Sequence, residues 1–160
     1  NYLILDEGCR GEAGCWKMTP PLRGVDDRMA LLAGIQDGTI DVIATDHAPH
    51  TAEEKSRGLE HSAFGIVGIE CAFPLMYTYL VRTDFITLER LVELMSTRAR
   101  EITGLPQGTS WATFEVETPY EIDPDKFLSK GHSTPFAGWQ VYGRCVETVY
   151  NGEVVYSIMN

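Results

Sequence analysis

The chain has 160 residues, 44% of them hydrophobic, and a formal net charge of −10, which provides for one sizeable core and excludes a disordered segment. Acidic residues outnumber Lys and Arg by 23 to 13, which excludes a nucleic-acid partner or an anionic membrane surface, whereas an anionic small molecule needs only a local Arg or His. No apolar stretch reaches membrane-spanning length and no basic-then-apolar leader opens the chain, so a cytoplasmic protein is expected, with Cys9, Cys15, Cys71 and Cys145, which lack C-x-x-C spacing, as reduced thiols.

Tyr2 to Leu5 is a short strand candidate, and the loop after it ends at Thr19-Pro20-Pro21-Leu22-Arg23, where two prolines impose extended backbone. Asp26 and Asp27 are placed to cap a helix over Arg28 to Gln36, with Met29, Leu32 and Ile35 at helical spacing and Gly38 as its stop. Val42, Ile43 and Ala44 are β-prone and too short a run for a helix, and Pro49 keeps a helix from passing through Asp46, His47 and His50. The pattern predicts a buried strand ending at Asp46. Strand, loop, helix and strand in succession is the grammar of an α/β fold with a parallel sheet. Thr51 to Arg57 predicts one helical turn, and Ser62 to Gly68 a long loop. Two amphipathic helices follow, Ile69 to Val81 and Leu88 to Ile102, the second capped by Thr87 and closed by Gly104 with Pro106 beyond. From Trp111 the pattern changes to short β runs, at Ala112 to Val116, Trp139 to Tyr142, Cys145 to Tyr150 and Val154 to Tyr156, with Asn151-Gly152 as a hairpin turn. Asp123 to Gly131 and Thr134-Pro135-Phe136 are expected as loops of this small β module.

Three polar groups at one strand end are the strongest chemical signal. The Asp46 carboxylate can ligate a metal, act as a general base, or do both by taking a proton from a metal-bound water; a capping or turn Asp is the structural alternative. His50, in a loop fixed by Pro49, can bind metal or hold an anionic substrate. His47 points away from Asp46 if strand alternation persists, which gives it a packing role, and His61 and His132 are lone loop histidines. Arg23 and Lys17 can pair with a carboxylate of substrate or protein. Gly65 lets the Ala63-Phe64-Gly65 backbone approach a ligand closely, and a simple tight turn explains it equally. A catalytic metal takes about three protein ligands, and this chain offers Asp46 and few others. A parallel barrel takes eight strand-helix units over about 250 residues, of which two strands are found here.

Four tracts together resemble dihydroorotase, an amidohydrolase-superfamily enzyme: Lys17-Met18-Thr19-Pro20-Pro21-Leu22-Arg23, Ile40 to His50, Ala63-Phe64-Gly65-Ile66-Val67-Gly68-Ile69-Glu70, and Asp123 to Gly131 followed by Thr134-Pro135-Phe136. Hydantoinases and allantoinases are similar around Asp46 and Pro-Pro-Leu-Arg but usually lack a histidine at the position of His50. The resemblance implies the carboxyl-terminal part of a metal-dependent (β/α)8 barrel, residues 1–106, followed by part of a small β domain, residues 107–160. It implies reversible cyclisation of N-carbamoyl-L-aspartate to L-dihydroorotate with one or two zinc ions per full-length subunit. Asp46 would bind metal and shuttle the proton of the hydrolytic water, His50 would hold the substrate carboxylate, and the backbone of Ala63, Phe64 and Gly65 would bind the pyrimidine ring. A homo-oligomer such as a dimer, and association with aspartate transcarbamoylase, are the implied assemblies. Thr19 stands where the family commonly carries an Asn that contacts substrate, which leaves room for a sister activity such as hydantoinase or allantoinase. A non-catalytic relative that supports aspartate transcarbamoylase is the third alternative. The family's paired histidines and its lysine ligand have no counterpart here, so the chain by itself is expected to be inactive, and its Gly108 to Trp111 junction is shorter than the family's.

Overall fold

Glycines bracket the first helix, α1 (Val25–Asp37), in a computed structural model that describes residues 1–158. Gly38 takes the left-handed conformation (φ 84°) that turns the chain away. Asp26 and Asp27 are not the cap: they lie inside the first turn, behind Gly24, where their charge favours the positive end of the helix dipole. Leu32 and Ile35 are buried as their spacing predicts, but Met29 is half exposed.

Neither early strand forms as expected. Tyr2 to Ile4 is a turn, because Ile4 and Leu5 both donate their N–H groups to the carbonyl of Asn1 and so have none for a ladder. Val42 to Ala44 forms no ladder, and it is not buried: Val42 and Ile43 are half-buried and Ala44 is exposed. A parallel strand needs a hydrogen-bonded neighbour along its length. Here the described residues supply only the Ile43 N–H to Leu94 carbonyl bond (2.9 Å) and one parallel bridge, His47 with Ile66.

Downstream elements follow their start and stop signals. Thr51 opens α2 (Ala52–Lys55) with a reciprocal capping box to Glu54, and α3 (Gly58–His61) follows it. The first long helix begins as α4 (Ile69–Met76) and widens into a π turn at Tyr77–Val81. Within it Pro74 offers no N–H to the carbonyl four residues back. The second is α5 (Leu88–Val92), a π turn at Glu93–Thr97 and α6 (Arg98–Thr103); Thr87 caps it through the Arg90 N–H, and Gly104 ends it at φ 68°. No described helix is long and apolar enough to cross a membrane.

The strands are β1 (Trp111–Glu115), β2 (Tyr120–Glu121), β3 (Gln140–Val141), β4 (Arg144–Tyr150) and β5 (Glu153–Ser157). An antiparallel sheet runs in the order β1-β4-β5, with register shifts at Thr113/Phe114 and Thr148/Val149, and β2 pairs with β3. Asn151 and Gly152 join β4 to β5 with φ of 50° and 85°, the left-handed pair that a tight hairpin turn demands. The helices and strands make the chain α/β.

The chain forms two compact units. One holds 1–40, 44–73 and 121–139, with Leu5, Ile35, Ile66, Val67, Cys71 and Phe136 at its core. The other holds 41–43, 74–120 and the chain from Gln140 on, around Leu80, Leu91, Leu94, Val141 and Val149. Asp123 to Gly131 and Thr134 to Phe136, expected as loops of the β module, therefore pack in the unit that carries Asp46 and His50. Hydrogen bonding explains it: Val67 donates to the Ser133 carbonyl (2.9 Å), and the Glu70 carboxylate accepts the N–H groups of Leu128 (2.8 Å) and Ser129 (3.0 Å).

Candidate active site

Asp46 lies at a backbone kink. Its φ is 49°, a left-handed conformation that Asp tolerates better than most side chains, so simple strand alternation does not carry through it. The Asp46 side chain is exposed and accepts no hydrogen bond from a described residue, which leaves its carboxylate oxygens unspent. Tyr2 is its unforeseen neighbour. The phenol donates to the Pro20 carbonyl (2.6 Å), and its pKa is pushed up by burial and then by the negative charge of Asp46.

His47 does more than pack. Its Nδ1 accepts the N–H groups of Gly68 (3.1 Å) and Ile69 (3.2 Å), so the ring proton of the neutral form belongs on Nε2. Nε2 faces Ser129 Oγ at 3.5 Å, and that hydroxyl in turn donates to Glu70. The residue after Asp46 is thereby bolted to the start of α4 and to the 128–129 loop. Gly68 permits the close approach, since a Cβ there would meet the Thr45 carbonyl oxygen at 2.6 Å.

His50 meets the predicted loop directly. Its Nε2 donates to the Phe64 carbonyl (2.7 Å), and its Nδ1 lies 3.5 Å from Glu54 Oε2, an ion pair when the ring is protonated. The Gly131 backbone crosses close beside it: a Cβ on Gly131 would sit 2.3 Å from the His50 carbonyl oxygen. Gly65 has φ 123°, and a Cβ there would lie 2.6 Å from both the Cβ and the carbonyl oxygen of Ala48. Close backbone approach thus decides in favour of glycine at this position. Phe64 is exposed, with the Lys17 ammonium 4.3 Å from its ring centroid. Lys17 is occupied within the protein, donating also to the Glu60 carbonyl (2.7 Å).

Sequence reasoning missed Lys55. It is buried, and its ammonium donates to the carbonyls of Gly65 (2.7 Å), Ala63 (2.8 Å) and Lys17 (3.1 Å). Burial lowers its pKa. The Ala63 and Gly65 N–H groups go to the carbonyls of Glu54 (3.1 Å) and Lys17 (3.0 Å), whereas the Phe64 N–H has no partner among the described residues.

The structure therefore joins His50 with Ala63, Phe64 and Gly65 and places Asp46 in the same compact unit. Thr19 is exposed and shares no hydrogen bond with any of them. Arg23 instead lines a largely apolar cavity of about 220 Å³ with Tyr2, Leu5, Pro21 and Leu31, which Asp46 and His50 do not line. Among the described residues no three His, Cys, Asp or Glu side chains gather as a cation site. A catalytic metal takes about three protein ligands, of which Asp46 can offer one.

No family model matches the chain. It is 51% identical over 148 residues to a dihydroorotase of Brevibacillus brevis, covering 88% of this chain and 35% of that protein. It is 50% identical over 163 residues to a dihydroorotase of Fusobacterium nucleatum, covering 98% and 38%. Among solved structures, an L-hydantoinase (dihydropyrimidinase) from Arthrobacter aurescens superimposes with a TM-score of 0.86 at 27% identity, over 98% of this chain and 38% of that one. A dihydropyrimidinase from Brevibacillus agri gives 0.85 at 21% identity over the same shares, a likeness of fold alone. The chain spans little more than a third of the length of the curated relatives it matches.

Proposed function

We propose that this chain, which belongs to the dihydroorotase family by its sequence, is a carboxyl-terminal portion of an enzyme that interconverts L-dihydroorotate and N-carbamoyl-L-aspartate. The observation that carries this is identity of about one half to dihydroorotases along nearly the whole chain. In hydrolysis, water adds to the ring amide carbonyl and the carbon–nitrogen bond breaks, with Asp46 accepting the proton of the water and returning it to the leaving nitrogen. Its exposed carboxylate, unbonded among the described residues, suits that task. His50 anchors the substrate carboxylate, which competes with Glu54 for the Nδ1 N–H, and the Phe64 N–H is the donor of the ring-binding loop that has no partner among the described residues.

Zinc, one or two ions in the intact enzyme, requires ligands beyond Asp46, so the 160 residues alone are expected not to turn over substrate. The barrel with its small β domain, the cytoplasmic setting, the homo-oligomer and the association with aspartate transcarbamoylase belong to the same proposal. A hydantoinase is the second reading, favoured by the solved neighbours and by Thr19.

The intact enzyme carrying this segment, assayed on dihydroorotate, hydantoin and allantoin, separates the two. The expected result is the highest kcat/KM on dihydroorotate, with His50→Ala raising KM at least about tenfold, the loss of one charge-assisted contact. A preference for hydantoin or allantoin would overturn the assignment.

A further inference from the structure

We propose that Lys55 is a positioning residue, which holds the Ala63–Phe64–Gly65 loop and, through it, the ring of His50. This rests on the assignment of that loop and of His50 to substrate binding.

A lysine is almost never fully buried without a counter-charge, yet Lys55 forms no ion pair among the described residues and its partners are backbone carbonyls. An ammonium has three N–H donors, and the three acceptors at 2.7, 2.8 and 3.1 Å use them all. An apolar side chain would fill the same space without the desolvation cost of a charge. What it could not do is let three carbonyl dipoles converge on one point, because their negative ends repel unless a cation sits between them.

The geometry also explains the five-residue separation of His50 and Lys55. Lys55 ends α2, which the Thr51–Glu54 capping box opens directly after His50. At the start of this short brace His50 takes the Phe64 carbonyl, and at its end Lys55 takes those of Ala63 and Gly65. The two side chains thus divide three consecutive carbonyls of one loop between them. The Glu54 carbonyl adds a bond to the Ala63 N–H (3.1 Å). With all three carbonyls held, the acceptor that orients the His50 ring is fixed in place.

The test uses the intact enzyme carrying this segment, with Lys55→Met, Lys55→Ala, and Lys55→Ala supplemented with n-propylammonium, which replaces the missing atoms. The expected outcome is a KM for dihydroorotate raised about tenfold with kcat within about threefold, restored in Lys55→Ala by n-propylammonium and not by n-propanol. Amide exchange at Gly65 should also quicken in both variants, a readout that stands if dihydroorotate is not the substrate. Parent enzyme inert on dihydroorotate would sink the functional assignment and leave the exchange arm to judge Lys55. Unchanged KM and exchange in a folded variant would overturn the role of Lys55. So would rescue by propanol as good as by the ammonium, or a chain that fails to fold even with the ammonium present.

Discussion

Gly65 is where the chain leaves least room for substitution. A methyl group there would enter Ala48 at 2.6 Å and hold φ near 123°, a conformation that side chains rarely adopt. Neither cost can be relieved by rotating a side chain, because both opposing atoms belong to Ala48 Cβ or its backbone. Gly65→Ala should therefore destabilise the unit by at least about 2 kcal/mol, strain and overpacking together, as read by denaturant titration. Wild-type stability in that variant would mean that the loop and the Ala48 segment are not in contact. Such a residue is partly legible in sequence, since glycine beside an apolar aromatic suggests either a turn or a close approach, but only packing decides between them. Lys55 was not legible: a charged residue closing a helical turn reads as solvated, and its burial depends on three carbonyls from two distant segments.

At the scale of elements, caps were readable and ladders were not. Thr51, Thr87, Gly38 and Gly104 act through bonds or dihedrals within a few residues of themselves, so local sequence contains the whole cause. The Val42 to Ala44 run carries strand propensity, but a ladder depends on neighbours that local sequence cannot name, and the described residues give it one bridge beyond its end. The α2 cap yields a pH prediction. Thr51 donates to Glu54 through its N–H and its hydroxyl, both at 2.9 Å, and these bonds hold the Glu54 carboxyl below its ordinary value of 4.5. A depressed carboxyl stabilises the fold above its unfolded pKa, and that contribution is lost as pH falls through the folded one. Thr51→Ala removes the hydroxyl and keeps the N–H, so the Glu54 titration should move part of the way back up, with about 1 kcal/mol of stability lost at neutral pH. Carbon-13 NMR of the Glu54 carboxyl follows the first and thermal melting the second; a Glu54 titration unmoved by the substitution would mean that the box does not persist in solution.

For the molecule as a whole, the balance between apolar exposure and net charge governs behaviour in solution. α1 exposes Val25, Met29 and Leu31, and the three-stranded sheet exposes Trp111, Tyr150, Val154 and Val155. Exposed apolar side chains in this number favour association. Opposing this, a net charge of −10 on 160 residues repels a second copy. The two forces respond to salt in opposite senses: screening shortens the reach of the repulsion to about 3 Å at 1 M ionic strength from about 30 Å at 0.01 M, while apolar contact is not weakened. The 160-residue chain should therefore self-associate, with a mass by static light scattering that rises as sodium chloride is added. Association through complementary charges would reverse the trend, since salt would then dissolve the complex. A mass equal to one chain at both extremes would show that these side chains do not drive association.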